Sequence, residues 1–196
     1  RVVERAIECG LDAIAITDHD EISAIGLAQA ASGSALEILP GTELSARFDE
    51  DEFHIVGLGI DPASAALIEP LDRMRRERES RAERIVEKLR NLGIPIELES
   101  LRARAGAGTI GRIHIGQEVA GLGFGRNVQD IFDKYIKAGR PAYVRKENLD
   151  ASEAIDAIHA AGGLAFVAHP GLGDQHRRLD ALCTLPFDGV EAYHSR

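Results

Sequence analysis

The sequence predicts an α/β domain interrupted by a helical insertion, and three observations carry that prediction. Short apolar runs of strand character alternate with amphipathic segments at both ends of the chain. Between them lies a block, residues 62–145, whose apolar spacing is almost wholly helical. Charge is segregated in the same way: Asp72 to Asp150 holds 17 Lys/Arg and 12 Asp/Glu, whereas the rest holds 6 and 20. Residues 1–61 and 146–196 are therefore expected to form two parts of one body, with 62–145 inserted between them.

The elements follow in order. Val2, Val3, Ala6 and Ile7 share a helical face, and Gly10 is a C-terminal stop. Leu11 to Thr17 reads as a buried strand. Asp18-His19-Asp20 follows, and Glu21 to Ala31 reads as a helix ending near Gly33. Leu36 to Leu39 is a strand, followed by Pro40-Gly41 and Thr42 to Ser45. Asp49 to Glu52 is an acidic turn, and Phe53 to Ile60 is the strand beyond it, so a hairpin is expected. Asp61 is placed to cap a helix whose first turn holds Pro62. Leu71, Met74, Ala82, Ile85, Leu89 and Leu92 repeat at helical spacing up to Gly93, which gives a long arginine-rich helix. Residues 95–110 read as loose. Arg112–Ala120 and Val128–Ala138 read as helices, the second capped by Asn127 and stopped by Gly139. Ala142 to Val144 has strand character. Ala151–Ala161 is a helix stopped by Gly162-Gly163, and Leu164–Ala168 and Gly189–Tyr193 are strands.

Composition excludes several classes. With 196 residues, 44% hydrophobic and 28% charged, the chain has ordinary globular usage. No apolar run approaches the roughly 20 residues of a membrane span. Cys9 and Cys183 cannot build a disulfide framework. They suit a reducing cytoplasm and read as buried small side chains. The net charge of −9 carries no nucleic-acid signature by itself, but a basic insert beside an acidic body suits drawing in phosphate. The series Arg73, Arg75, Arg76, Arg78, Arg81 and Arg84 is such a surface or, as is commoner, a solvated helix face with i,i+4 pairs. Gly121 to Gly125 lacks the preceding strand of a dinucleotide fingerprint, and neither a P-loop nor a nucleophile elbow is present. The chain opens on Arg1 and stops just after a strand-like run, which suggests a fragment.

Chemistry concentrates at strand ends. His19, His169 and His194 each close an apolar strand, Glu43 lies just beyond one, and His54 sits on the hairpin partner. In parallel α/β architectures the C-terminal strand ends converge on one rim. Imidazole and carboxylate together form a borderline to hard donor set suited to Zn, Mn or Fe. A carboxylate can also bridge two ions, as two-metal phosphate-ester hydrolysis requires. Asp18 is placed to orient the His19 imidazole or, alternatively, to cap the next helix. Arg112 and His114 open an inserted helix, where N–H groups and a cation could hold phosphate. His159 reads as a surface or packing residue, and His176 as solvated.

Ile14 to His19, Leu39 to Glu43, His54 to Leu58 and Val167 to Gly171, in that order and spacing, resemble the polymerase and histidinol phosphatase (PHP) family. Gly111 to His114 and Gly139 to Val144 resemble its branch of 3',5'-nucleoside bisphosphate phosphatases and 5'-to-3' exoribonucleases. The resemblance implies a distorted (β/α)7 TIM-like barrel, truncated here at both ends, with two or three divalent ions, manganese first, zinc or iron as alternatives. It implies His19, Glu43, His54 and His169 as ligands, with Glu43 bridging. It also implies Arg112, His114 and His194 as phosphate-contacting or proton-donating groups. The family's initial His-x-His is expected before Arg1 and its terminal Asp-x-His after Arg196, so neither is among the residues that carry the resemblance. The expected activity is hydrolysis of nucleotide or short-oligonucleotide phosphate esters in the cytoplasm. A non-catalytic structural or regulatory module is the alternative. Another metal-dependent barrel hydrolase of the amidohydrolase kind fares poorly, because Lys88, Lys134 and Lys137 lie in the insert and Lys146 borders it.

Overall fold

The structure, a computed structural model, describes residues 1–49, 51–106, 108–171 and 179–194. The stretch around His176 lies outside them. Two compact units emerge: Arg1–Asp72 with Asn148–Arg196, and Arg73–Glu147. The first division falls inside a long helix rather than at Asp61-Pro62, because that helix runs on without interruption.

The first unit is built on a mixed sheet. Its strands are β1 (Ala13–Ile16), β2 (Glu37–Phe48), β3 (Asp51–Leu58), β4 (Leu149–Asp150), β5 (Leu164–Val167) and β6 (Gly189–Val190). The order is β1-β2-β3-β5-β6, with β4 on β2. Strand β3 runs antiparallel to both β2 and β5, while β1–β2, β2–β4 and β5–β6 are parallel. Among the described residues the sheet is open, with β1 and β6 at its edges, so the barrel closure that the resemblance implies is not seen.

Strand β2 organises this unit. Pro40-Gly41 does not separate two strands but lies inside one of twelve residues. Its edge opposite β3 takes β1 at 37–40, then an isolated parallel bridge from His19 to Glu43, then β4 at 46–47. Being an edge strand, β1 alternates exposed and half-buried residues instead of being buried. Helices α1 (Val2–Glu8) and α2 (Ala24–Ser32) cover its start, where Val3, Ala6, Ala28, Leu36 and Ile38 cluster. The helix after β4 is capped by Asp150, whose carboxylate accepts the Ser152 N–H at 3.0 Å. It buries Ala154, Ile155 and Ile158.

The second unit is helical. Asp61 accepts the Ala63 N–H at 2.9 Å in a turn, and the long helix α3 (Ala65–Asn91) begins after it rather than at Pro62. Residues read as loose contain α4 (Leu98–Ala105), whose Leu101 is fully buried. Then come α5 (Arg112–Gly121) and α6 (Val128–Ile131), where Asn127 accepts the Asp130 N–H at 2.9 Å. A π-helical turn, Phe132–Ile136, continues α6, and Lys137 N–H donates to the Phe132 carbonyl at 2.8 Å. Ala142–Val144 is not a strand. Its carbonyls are taken by side chains of α3: Lys88 Nζ donates to Tyr143 O at 2.8 Å and Arg81 Nε to Val144 O at 2.9 Å. The core joins Ile85, Leu89, Ile96, Leu101, Ile115 and Ile131. Leu101→Ala is expected to cost about 2–5 kcal/mol, read as a lower urea midpoint at unchanged slope. Helices α7 (Ala151–Ala160) and α8 (Leu179–Leu182) complete the first unit. No helix among the described residues is long and apolar enough to cross a membrane.

Candidate metal centre

Local backbone geometry brings the strand-end donors together. The main chain after β1 follows the β2 edge: Glu43 N–H donates to Asp18 O at 3.1 Å, and Asp20 N–H to Glu43 O at 2.9 Å. This sets His19 level with Glu43. Across the hairpin, Ser45 pairs with His54. Side chains alternate along a strand, so Glu43, two residues from Ser45, shares the face of His54. The Ala168 N–H donates to His54 O at 3.0 Å, which carries β5 to the same level just before His169.

The donors meet at Glu43. Its Oε1 lies 2.9 Å from His54 Nδ1 and 3.1 Å from His169 Nε2, and these two nitrogens are 3.0 Å apart. The other oxygen, Oε2, is 3.7 Å from His19 Nε2. The rings of His19, His54, His169 and His194 follow one another at centroid separations of 4.6, 5.0 and 5.6 Å. Burial pushes the Glu43 carboxyl up. The His54 hydrogen bond, the charges of His19 and His54 and the His169 hydrogen bond together outweigh it, and hold the group below its ordinary value.

Such a cluster fits a divalent ion. Two imidazole nitrogens 3.0 Å apart, both against one carboxylate oxygen, crowd either two N–H groups together, if both donate to the oxygen, or a lone pair against it, if only one does. A cation among them satisfies every lone pair at once, and imidazole with carboxylate is the donor set of Mn, Zn or Fe. The ligand atoms of His19, Glu43 and His54 lie within 4.8 Å of one another.

Other expected residues are placed differently. Among the described residues the exposed Asp18 carboxylate has no hydrogen-bond partner and makes no orienting contact with His19; its carbonyl accepts the Glu43 N–H. The buried neighbour is Asp20, held at φ 53°, whose carboxylate accepts both the Ser45 N–H (2.7 Å) and the Ser45 hydroxyl (3.0 Å). In the helical unit, His114 Nδ1 accepts the Gly111 N–H at 3.1 Å, which leaves Nε2 to carry the ring hydrogen. The exposed Arg112 guanidinium stands 5.6 Å over the Phe132 ring. In the arginine series Arg81 is buried, Arg84 pairs with Glu77, and Arg73, Arg75 and Arg78 also have partners, so the series is not a bare cationic face. His159 is half-buried and its Nε2 donates to Asp188 Oδ2 at 2.8 Å. Cys9 and Cys183 are exposed, not buried, and unpaired: the first ends a surface helix and the second follows the buried Leu182.

Comparison with known proteins adds a frame. No family model matches the chain. It is 38% identical over 173 residues to the 5'-3' exoribonuclease Rnm of Escherichia coli K12, covering 87% of this chain and 59% of that protein. It is 34% identical over 193 residues to the 3',5'-nucleoside bisphosphate phosphatase of Chromobacterium violaceum, covering 96% of this chain and 67% of that protein. A crystal structure from Bifidobacterium adolescentis, assigned as a metal-dependent phosphoesterase, superposes with a TM-score of 0.83 at 29% identity, covering 98% of this chain and 71% of that one. The chain thus spans about 60% of the length of the exoribonuclease relatives it matches.

Proposed function

The chain belongs to the polymerase and histidinol phosphatase family, and on that premise we propose that the complete protein is a divalent-metal-dependent phosphoesterase. Its substrates would be 3',5'-nucleoside bisphosphates, the class in one relative's name, or 5'-phosphorylated short oligonucleotides, a reading supported by the relatives named 5'-3' exoribonuclease. The observation that carries this reading is the convergence of His54 Nδ1 and His169 Nε2 on Glu43 Oε1.

In this reading His19, Glu43, His54 and His169 would hold the metal, with Glu43, whose two oxygens both face imidazoles, as the carboxylate that ions could share. Bound divalent ions, two or three in number and manganese first, supply Lewis acidity toward a phosphoryl oxygen and lower the pKa of water. His194, exposed and with its ring centroid 5.6 Å from that of His169, would hand a proton to the leaving oxygen. His114, with its hydrogen on Nε2, donates to a phosphate oxygen, and Arg112 supplies a cation for the same group. The open sheet belongs to a distorted (β/α)7 barrel in the complete protein. Two exposed, unpaired thiols suit a reducing cytoplasm.

The test is manganese-dependent phosphate release from 3',5'-bisphosphates, run beside cleavage of 5'-phosphorylated short RNA, with the full-length protein. Turnover of either substrate that His169→Ala abolishes is the expected result. A metal-loaded protein inert toward both would overturn the reading.

A further inference from the structure

We infer that Glu191 is a positioning residue: its carboxylate fixes the backbone of His169 so that the imidazole faces Glu43. The inference rests on the metal-centre reading above and adds a residue that is not itself a ligand.

Four observations carry it. His169 has φ +31°, a conformation that is strained for a non-glycine residue and persists only when its surroundings hold it. Its N–H donates to Glu191 Oε2 at 2.6 Å, a short bond to a charged acceptor. The third observation is the ladder. Val167 pairs with Val190, and Glu191 N–H donates to Val167 O at 2.9 Å. A regular parallel continuation would offer the His169 N–H a main-chain carbonyl of the neighbouring strand. The Glu191 side chain takes that place, which lets the chain leave the sheet at His169 without orphaning its N–H.

The fourth observation concerns the ring. A ligating histidine ordinarily has its second nitrogen held by an acceptor, which sets the ring orientation. His169 Nδ1 is buried and has no such partner among the described residues. The ring is therefore aimed from its backbone, and the Glu191 bond is what fixes that backbone on the β6 side.

The experiment measures Mn²⁺ binding by calorimetry and metal-free melting temperature, with the full-length protein as wild type, Glu191→Gln and Glu191→Asp. Gln keeps an acceptor oxygen at the same reach; Asp keeps the charge but withdraws it by one methylene. Glu191→Asp should bind Mn²⁺ about 10- to 100-fold more weakly, the usual effect of losing an outer partner of a ligand, while Glu191→Gln stays near wild type. Equal affinity in Glu191→Asp and wild type, even with a lowered melting temperature, overturns the inference, because the contact would then serve only the fold. Equal weakening in both variants also overturns it, since charge rather than the N–H bond would matter. A wild type that binds no Mn²⁺ overturns the metal-centre reading itself.

Discussion

Glu43→Gln is expected to lower divalent-metal affinity by more than about 100-fold, and the phosphoesterase turnover proposed for the complete protein should fall alongside it. Loss of an outer-shell partner already costs about 10- to 100-fold, and Glu43 faces three imidazoles directly. The carboxamide keeps the size and one acceptor oxygen, so loss of affinity reports loss of charge. A second consequence appears without metal. The Glu43 carboxyl is held below its ordinary value in the folded protein. Between that lowered value and the ordinary one, the unfolded chain binds the extra proton, so stability rises with pH through this window. The contribution is complete above the ordinary carboxyl range and is lost as pH falls through the folded value. Urea unfolding of metal-free wild type and Glu43→Gln should therefore show a stability gap near neutrality that narrows in acid. A gap that is constant with pH, or metal affinity unchanged in the variant, would contradict the central place given to this carboxylate.

What the sequence could show of this site follows from chemistry. Histidines at the ends of apolar strands are visible because residue type and strand periodicity are both local; His19, Glu43, His54 and His169 could be picked out that way. Asp20 and Glu191 could not, because each acts through the backbone of a residue far along the chain: Asp20 on Ser45 and Glu191 on His169. Asp18 drew attention by adjacency to His19, whereas the turn with positive φ at Asp20 points the second carboxylate inward. Fold elements went astray for similar reasons. Ala142–Val144 has strand-forming residues, but Lys88 and Arg81 take the carbonyls that a ladder would use. Strand β4 has two residues and is defined only by its partner. Helix α4, short and bordered by Pro95 and Gly106, carries too few apolar repeats to stand out. The hairpin expected around the acidic turn is present as β2–β3, and it sets an antiparallel strand at the centre of the sheet.

The hairpin also explains the glycine before the candidate ligand. A Cβ on Gly41 would lie 2.7 Å from Gly57 O, 2.9 Å from Thr17 Cγ2 and 3.1 Å from Ile16 O. Two of these neighbours are main-chain oxygens, one on β3 and one at the end of β1, so neither can turn aside as a side chain would. Gly41→Ala must push β2 away from one strand or the other, at a cost of about 1–3 kcal/mol or more. Glu43 lies two residues on, between His19 from the β1 side and His54 from β3, so the same displacement pulls its carboxylate off the imidazoles. Stability and metal affinity should therefore fall together. Gly26→Ala is the matched control. It lies within α2 with nothing within 4 Å of a built Cβ, and there alanine should be neutral or stabilise by about 0.5–1 kcal/mol. Opposite signs for one chemical change would trace the Gly41 effect to the crowded meeting of three strands. A Gly41→Ala protein with wild-type stability and wild-type metal binding would show that Glu43 is not held in place by that crowding.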